Sequence, residues 1–109
     1  MIKNIYITVF FISLLFSNVE NYINQINKHI DDKEYNKATD LFNTSIAEYD
    51  ASASLYFIGS QICILLDQLD DANKYLIKAI ELDNKNNDYR SKQEELVDFK
   101  TKLLNARKT

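Results

Sequence analysis

The chain has no proline and only one glycine, Gly59, so little along its 109 residues interrupts a helix. A single glycine also rules out the glycine-rich loops that wrap phosphate groups in backbone N–H donors. Cys63 is the only cysteine, and alone it can close neither an intramolecular disulfide nor a zinc site. It stands in the apolar run Ile62-Cys63-Ile64-Leu65-Leu66, where a thiol packs as a small hydrophobe. Positive charge is sparse as well. The net charge is -3 and becomes -4 once the N-terminal segment with its one Lys3 is set aside. No basic stripe is present to meet nucleic-acid phosphates, so nucleic acid is not an expected partner. Lys100, Lys102, Arg107 and Lys108 read as a solvated helix end, favourably placed against the helix dipole.

Apolar residues make up 46% of the chain and charged residues 27%, a balance that gives no sign of disorder. The expected class is all-α, in at most one domain. The strongest internal signal is a repeat. A shift of 34 places aligns Tyr22 with Tyr56, Ile30 with Ile64, Tyr35 with Leu69, Ala38 with Ala72, Phe42 with Leu76 and Ser45 with Ala79. Residue class is kept in each pair, which marks units that bury their apolar faces by stacking on one another.

Those residues resemble the tetratricopeptide repeat (TPR) family, whose unit is a helix-turn-helix of this length. The second unit supplies the large aromatic Tyr56, the small Ser60, Ala72 opening helix B, the large Leu76, the small Ala79 and the ending Ile80-Glu81-Leu82-Asp83. The first keeps Tyr22, Ala38, Phe42 and Ser45, with Ile26 in place of a small residue. Asn84 stands where the family has proline, and Gly59 and Cys63 replace larger apolar residues. The resemblance covers roughly residues 19–84. It implies antiparallel helical hairpins stacked into a superhelix, with small residues where helix backbones approach closely.

In chain order, Met1 to Ser17 has the layout of a secretory signal peptide: Lys3, then an apolar run from Ile5 to Phe16 that is too short to cross a bilayer comfortably. Small residues are poorly placed for cleavage, so a membrane anchor over residues 5–17 stays open beside it. Export, to a periplasmic or extracellular location, is the expectation. Helix 1A is expected from about Asn18 to Asp31, with Val19, Tyr22, Ile23, Ile26 and Ile30 on one face. Helix 1B follows from about Glu34 to Tyr49. Asp50 or Ser52 then caps helix 2A, about Ala53 to Leu66. That helix is apolar on nearly all sides and is expected at the centre of the stack. Helix 2B ends near Leu82. The two repeats thus span about 19–52 and 53–86. A final amphipathic helix runs from about Tyr89 to Ala106 and makes residues 86–109 a capping element. A third unit beginning there is the competing reading, since Leu103 and Ala106 lie 34 beyond Leu69 and Ala72.

The residues offer no catalytic set, no cofactor site and no metal site. His29 has no cysteine, second histidine or evident carboxylate partner on its face. Ser60 lacks the glycines of a nucleophile elbow and occupies a packing position. The carboxylates at Asp31-Asp32 and Asp67 to Asp71 fall at turns and helix starts and lack the glycine of an EF-hand loop. Asn43-Thr44-Ser45 is a formal glycosylation sequon inside a helix.

The resemblance therefore implies a non-catalytic scaffold that holds a peptide or helix in the concave groove of its A helices. The implied groove residues are Ile23, Asn27 and Ile30 from helix 1A with Phe57, Gln61 and Ile64 from helix 2A. The five positions with which some family members clamp a C-terminal carboxylate hold Ile23, Asn27, Ile58, Asp88 and Lys92, and only two of them fit. Two units and a cap bury little surface, so a self-associating structural protein, or an accessory subunit of a larger envelope complex, is the alternative.

Overall fold

The computed structural model describes residues 18–108; the expected signal peptide or anchor of residues 1–17 lies outside the described residues. Among these, 85% are helical and no strand occurs. Five helices follow one another: α1 over 18–31, α2 Tyr35–Glu48, α3 Ala53–Leu65, α4 Leu69–Leu82 and α5 Asn87–Lys108. No described helix is long and apolar enough to cross a membrane.

Helix α3 holds the structure together. It carries no charged side chain, and Leu55, Ile58, Gly59, Ser60, Ile62 and Cys63 are buried along it. Leu55, Ile58 and Ile62 join Ile26 of α1 with Ala38 and Phe42 of α2 in one core cluster. Cys63 joins Ala72 and Leu76 of α4 with Leu96 of α5 in a second. Tyr75 packs against both, its ring edge-on to Phe42 at 5.2 Å. The expectation that helices pack around this segment is met, except at Leu65, which is 48% exposed.

The backbone repeats at the same interval as the side chains. Lys33 and Asp67, 34 residues apart, both adopt the left-handed conformation, at φ 60° and φ 59°. Neither is glycine, so both turns carry some strain. In the first, Lys33 N–H donates to the Ile30 carbonyl and Glu34 N–H to that of His29; in the second, Asp67 N–H donates to Ile64 and Gln68 N–H to Cys63. This pairing satisfies carbonyls that a helix end would otherwise leave free. The helix ends Tyr49 and Asp83 match too, at φ -129°, ψ 64° and φ -141°, ψ 76°. Five pairs at this spacing are buried at both positions: Ile26 and Ser60, Ala38 and Ala72, Phe42 and Leu76, Ser45 and Ala79, and Ile62 and Leu96.

The two buried serines satisfy their hydroxyls locally. Ser45 Oγ donates to the Phe42 carbonyl at 2.7 Å and Ser60 Oγ to that of Phe57 at 2.5 Å. Each therefore packs as a small residue with no polar group left unpaired.

Gly59 has a steric explanation that the bare repeat pattern does not supply. A Cβ at this position would overlap the Phe42 ring, so the first hairpin approaches α3 more closely than any larger residue allows.

Ser52 rather than Asp50 caps α3, its Oγ accepting from Leu55 N–H at 3.4 Å. Thirty-four residues on, Asn86 Oδ1 accepts from Asp88 and Tyr89 N–H at 3.0 and 3.3 Å. This cap starts α5 at Asn87, two residues before the expected Tyr89. Helix α5 thus begins in register with α3, as the first helix of a third unit would. It then continues unbroken for 22 residues, through Thr101, where a turn matching Asp67 would fall. Leu103 and Ala106 thus belong to the same helix as Tyr89, and no second helix opens at the 34-residue interval.

Two outcomes are expected. Gly59→Ala should cost about 1–3 kcal/mol in denaturant unfolding, and Phe42→Leu in that background should recover part of the loss. Additive effects would show that the two residues do not touch. Burial, helped by the nearby Asp71 carboxylate, pushes the Cys63 thiol up from its ordinary range. A thiol reagent at mildly alkaline pH should therefore label Cys63 no faster than the native chain opens; rapid labelling would contradict its burial.

Candidate binding groove

Helices α1, α3 and α5 lie side by side and expose a shallow groove of about 390 Å³. Asn27, Ile30 and Asp31 line it from α1, Gln61, Ile64 and Leu65 from α3, and Lys92 from α5. The 34-residue repeat produces this juxtaposition. Asn27 and Gln61 are equivalent, as are Ile30 and Ile64, so two amides and two aliphatic side chains stand in matching rows.

Four of the six sequence-predicted groove residues are gathered there: Asn27, Ile30, Gln61 and Ile64. The other two are placed differently. Ile23 does not line this groove and is half-buried against the first core cluster, where Ile30 also packs. Phe57 is half-buried against the second, its ring 4.8 Å from that of Tyr89 and tilted by 31°, so it serves to dock α5. Burial raises the Tyr89 hydroxyl above its ordinary value, and so does the Asp83 carboxylate, while a hydrogen bond with Ser54 opposes them.

The groove continues along α5. A second depression of about 360 Å³ shares Ile64 and Lys92 and adds Asp67, Leu69, Glu95, Leu96 and Phe99. A third, of about 350 Å³, shares Asp67 and Leu69, adds Asp70 and reaches Lys100, Leu103, Leu104 and Arg107. Leu65, Phe99 and Leu104 are 48%, 53% and 54% exposed along this path. Sequence reasoning missed Leu65 and Phe99. The signal was present, since they too are 34 residues apart, but each lay within an apolar helix pattern that pointed to the core. Lys92 was noticed only as a member of an incomplete clamp.

The charges form local pairs. Lys92 Nζ lies 3.7 Å from a Glu95 carboxylate oxygen and Lys102 Nζ 3.0 Å from Asp98. Lys100 Nζ reaches Asp70 at 2.5 Å, which ties α5 to the start of α4 and corrects the reading of that lysine as a solvated one. A second correction concerns His29. It does have a carboxylate neighbour, Glu34 across the first turn, with Nδ1 3.3 Å from Oε1. Glu34 also accepts from Lys37 at 2.7 Å. Neither helix periodicity nor motif spacing indicated this contact, because the left-handed turn at Lys33 folds the chain back. No cluster of three or more His, Cys, Asp or Glu side chains able to hold a metal occurs among the described residues.

No family model matches the chain, and no curated protein is significantly similar to it.

The Lys37 hydrogen bond, followed by that of His29, lowers the Glu34 carboxyl pKa, and Lys100 does the same for Asp70. A carboxyl depressed on folding adds stability above its unfolded value, and that stability is lost as pH falls through the folded value. Acid titration followed by circular dichroism should therefore show stability falling below the usual carboxylate range, with Lys100→Met flattening the slope. An unchanged slope would mean that the Asp70 pair does not form in solution.

Proposed function

We propose that this chain is a non-catalytic interaction module of the tetratricopeptide type, holding a peptide or helix of a partner protein in the groove of α1, α3 and α5. The observation that carries the reading is the gathering of Asn27, Ile30, Gln61 and Ile64, two equivalent pairs from two hairpins, along one exposed groove. The recurrence of turn, cap and buried positions at 34 residues supports the family assignment. In such a groove the aliphatic side chains bury apolar surface, at about 25 cal/mol per Å², while the amides hydrogen-bond the ligand's backbone. A terminal carboxylate is a poor ligand here. Lys92 stands among the lining residues with Asp31, and Ile58, another clamp position, is buried. Export or membrane anchoring of the module rests on residues 1–17 alone.

Leu65→Asp is the variant of choice, since Leu65 lines the groove and is half exposed. Partner binding should fall by about tenfold or more, equivalent to roughly 1.4 kcal/mol, with helicity and solution mass unchanged. Full binding by a folded Leu65→Asp chain would refute the groove. Phe57→Asp should behave differently and release α5, losing helix content and about 1–3 kcal/mol of stability. A concentration-dependent mass that collapses to a monomer on Leu65→Asp would instead identify the groove as a contact between copies.

A further inference from the structure

Helix α5 is long but thinly attached. It runs for 22 residues and, among the described residues, buries Leu96 alone, whereas α2 buries Ala38, Phe42 and Ser45 and α4 buries Ala72, Leu76 and Ala79. Helix α1 also buries one side chain, Ile26, but it packs Val19, Tyr22, Ile23 and Ile30 around the first core cluster. Helix α5 adds no such partly buried partner to the second. Its other ties lie at or near the surface. The Tyr89 ring lies 4.8 Å from that of Phe57, Gln93 Nε2 donates to Asn73 Oδ1 at 3.3 Å, and Lys100 pairs with an Asp70 carboxylate that is 85% exposed. An ion pair so open to water holds two elements together only weakly. The core divides along the same line. The first cluster is built from α1, α2 and α3 with Tyr75 of α4 and needs nothing from α5. The second joins Cys63, Ala72 and Leu76 to Leu96, so α5 closes it. Between α4 and α5, Asp83, Asn84 and Lys85 are polar and exposed.

We propose that α5 is a lid, which swings away from α3 and α4 about residues 83–85 while α1 to α4 stay folded on the first core cluster. An opening that breaks few apolar contacts costs less than global unfolding, and here the main apolar losses are those of Leu96 and of the Tyr89 ring. Two features change together when the lid lifts. The second core cluster loses Leu96, which uncovers Cys63, and the groove loses Lys92, its wall on α5. The closed form thus completes the groove and covers the thiol at once. A ligand that touches Lys92 binds the closed form better and so protects Cys63. The lid follows from how α5 is attached and holds whatever the groove receives.

The test uses the full chain and two readouts, reaction of Cys63 with N-ethylmaleimide and amide hydrogen exchange resolved helix by helix. In the native chain, amides of residues 90–105 should exchange about tenfold or more faster than those of α2. Cys63 should react through the same opening, with a weaker dependence on urea than global unfolding has, because less surface is exposed. Leu96→Ala should raise the labelling rate by about tenfold or more and leave exchange in α2 unchanged. Gly59→Ala, which disturbs the first cluster, should lower the midpoint of global unfolding and leave the labelling rate as it was. Labelling that both variants accelerate alike, or that carries the full urea dependence of global unfolding, would overturn the proposal, since Cys63 would then open only with the whole chain. Equal exchange in α2 and α5 of the native chain would overturn it without any variant. A Leu96→Ala chain that loses protection in α2 together with α5 would do the same.

Discussion

Thirteen consecutive residues from Ala53 to Leu65 form a helix without a single charge, and a helix of that kind is stable in water only when other elements cover it. The other helices answer this requirement. Helices α1 and α2 cover one side through Ile26, Ala38 and Phe42, and α4 and α5 the other through Ala72, Leu76 and Leu96. At Gly59 the missing side chain admits the ring of Phe42. Around that contact the small buried residues Ala38, Ser45, Ser60, Ala72 and Ala79 let helix backbones come near enough for the larger ones to interlock.

The left-handed turns convert this packing into a repeated geometry. Lys33 and Asp67 share the left-handed conformation, with matching hydrogen bonds behind each, so the two hairpins turn in the same way. Equivalent residues therefore come to equivalent places. That is why Asn27 with Gln61, and Ile30 with Ile64, line one groove although no local rule connects them. Neither turn uses glycine, so both stay folded against a mild backbone preference, helped by the carbonyls they satisfy.

Helix α5 gives the module its direction. Its first turns complete the cover of α3 through Tyr89 and Leu96, and its cap repeats that of α3. Beyond Leu96 it outruns the body, and the apolar face that would otherwise be core becomes surface. The salt bridge from Lys100 to Asp70 braces this extension on the side of α4. Groove and extension form one path from Ile30 to Leu104, with the amides of Asn27 and Gln61 at one end and the mixed charges of Asp67, Asp70, Lys100 and Arg107 at the other.

Much of this could be read directly from the residues. The all-helical class, the 34-residue interval, the central place of the segment from Ala53 and the continuous last helix follow from periodicity and the absence of helix breakers, both local properties of the chain. Only the tertiary structure decided the rest, because it depends on what each side chain meets across space. Phe57 has the same helical spacing whether it faces a groove or a neighbour, and it is the ring of Tyr89 that turns it inward. The same holds for the Glu34 carboxylate beside His29 and for the space Phe42 takes above Gly59. Phe99 and Leu65 carry the pattern of core residues, yet they are exposed because no other helix covers them. Sequence determined which residues could be buried, and the number and length of the neighbouring helices decided which of them were.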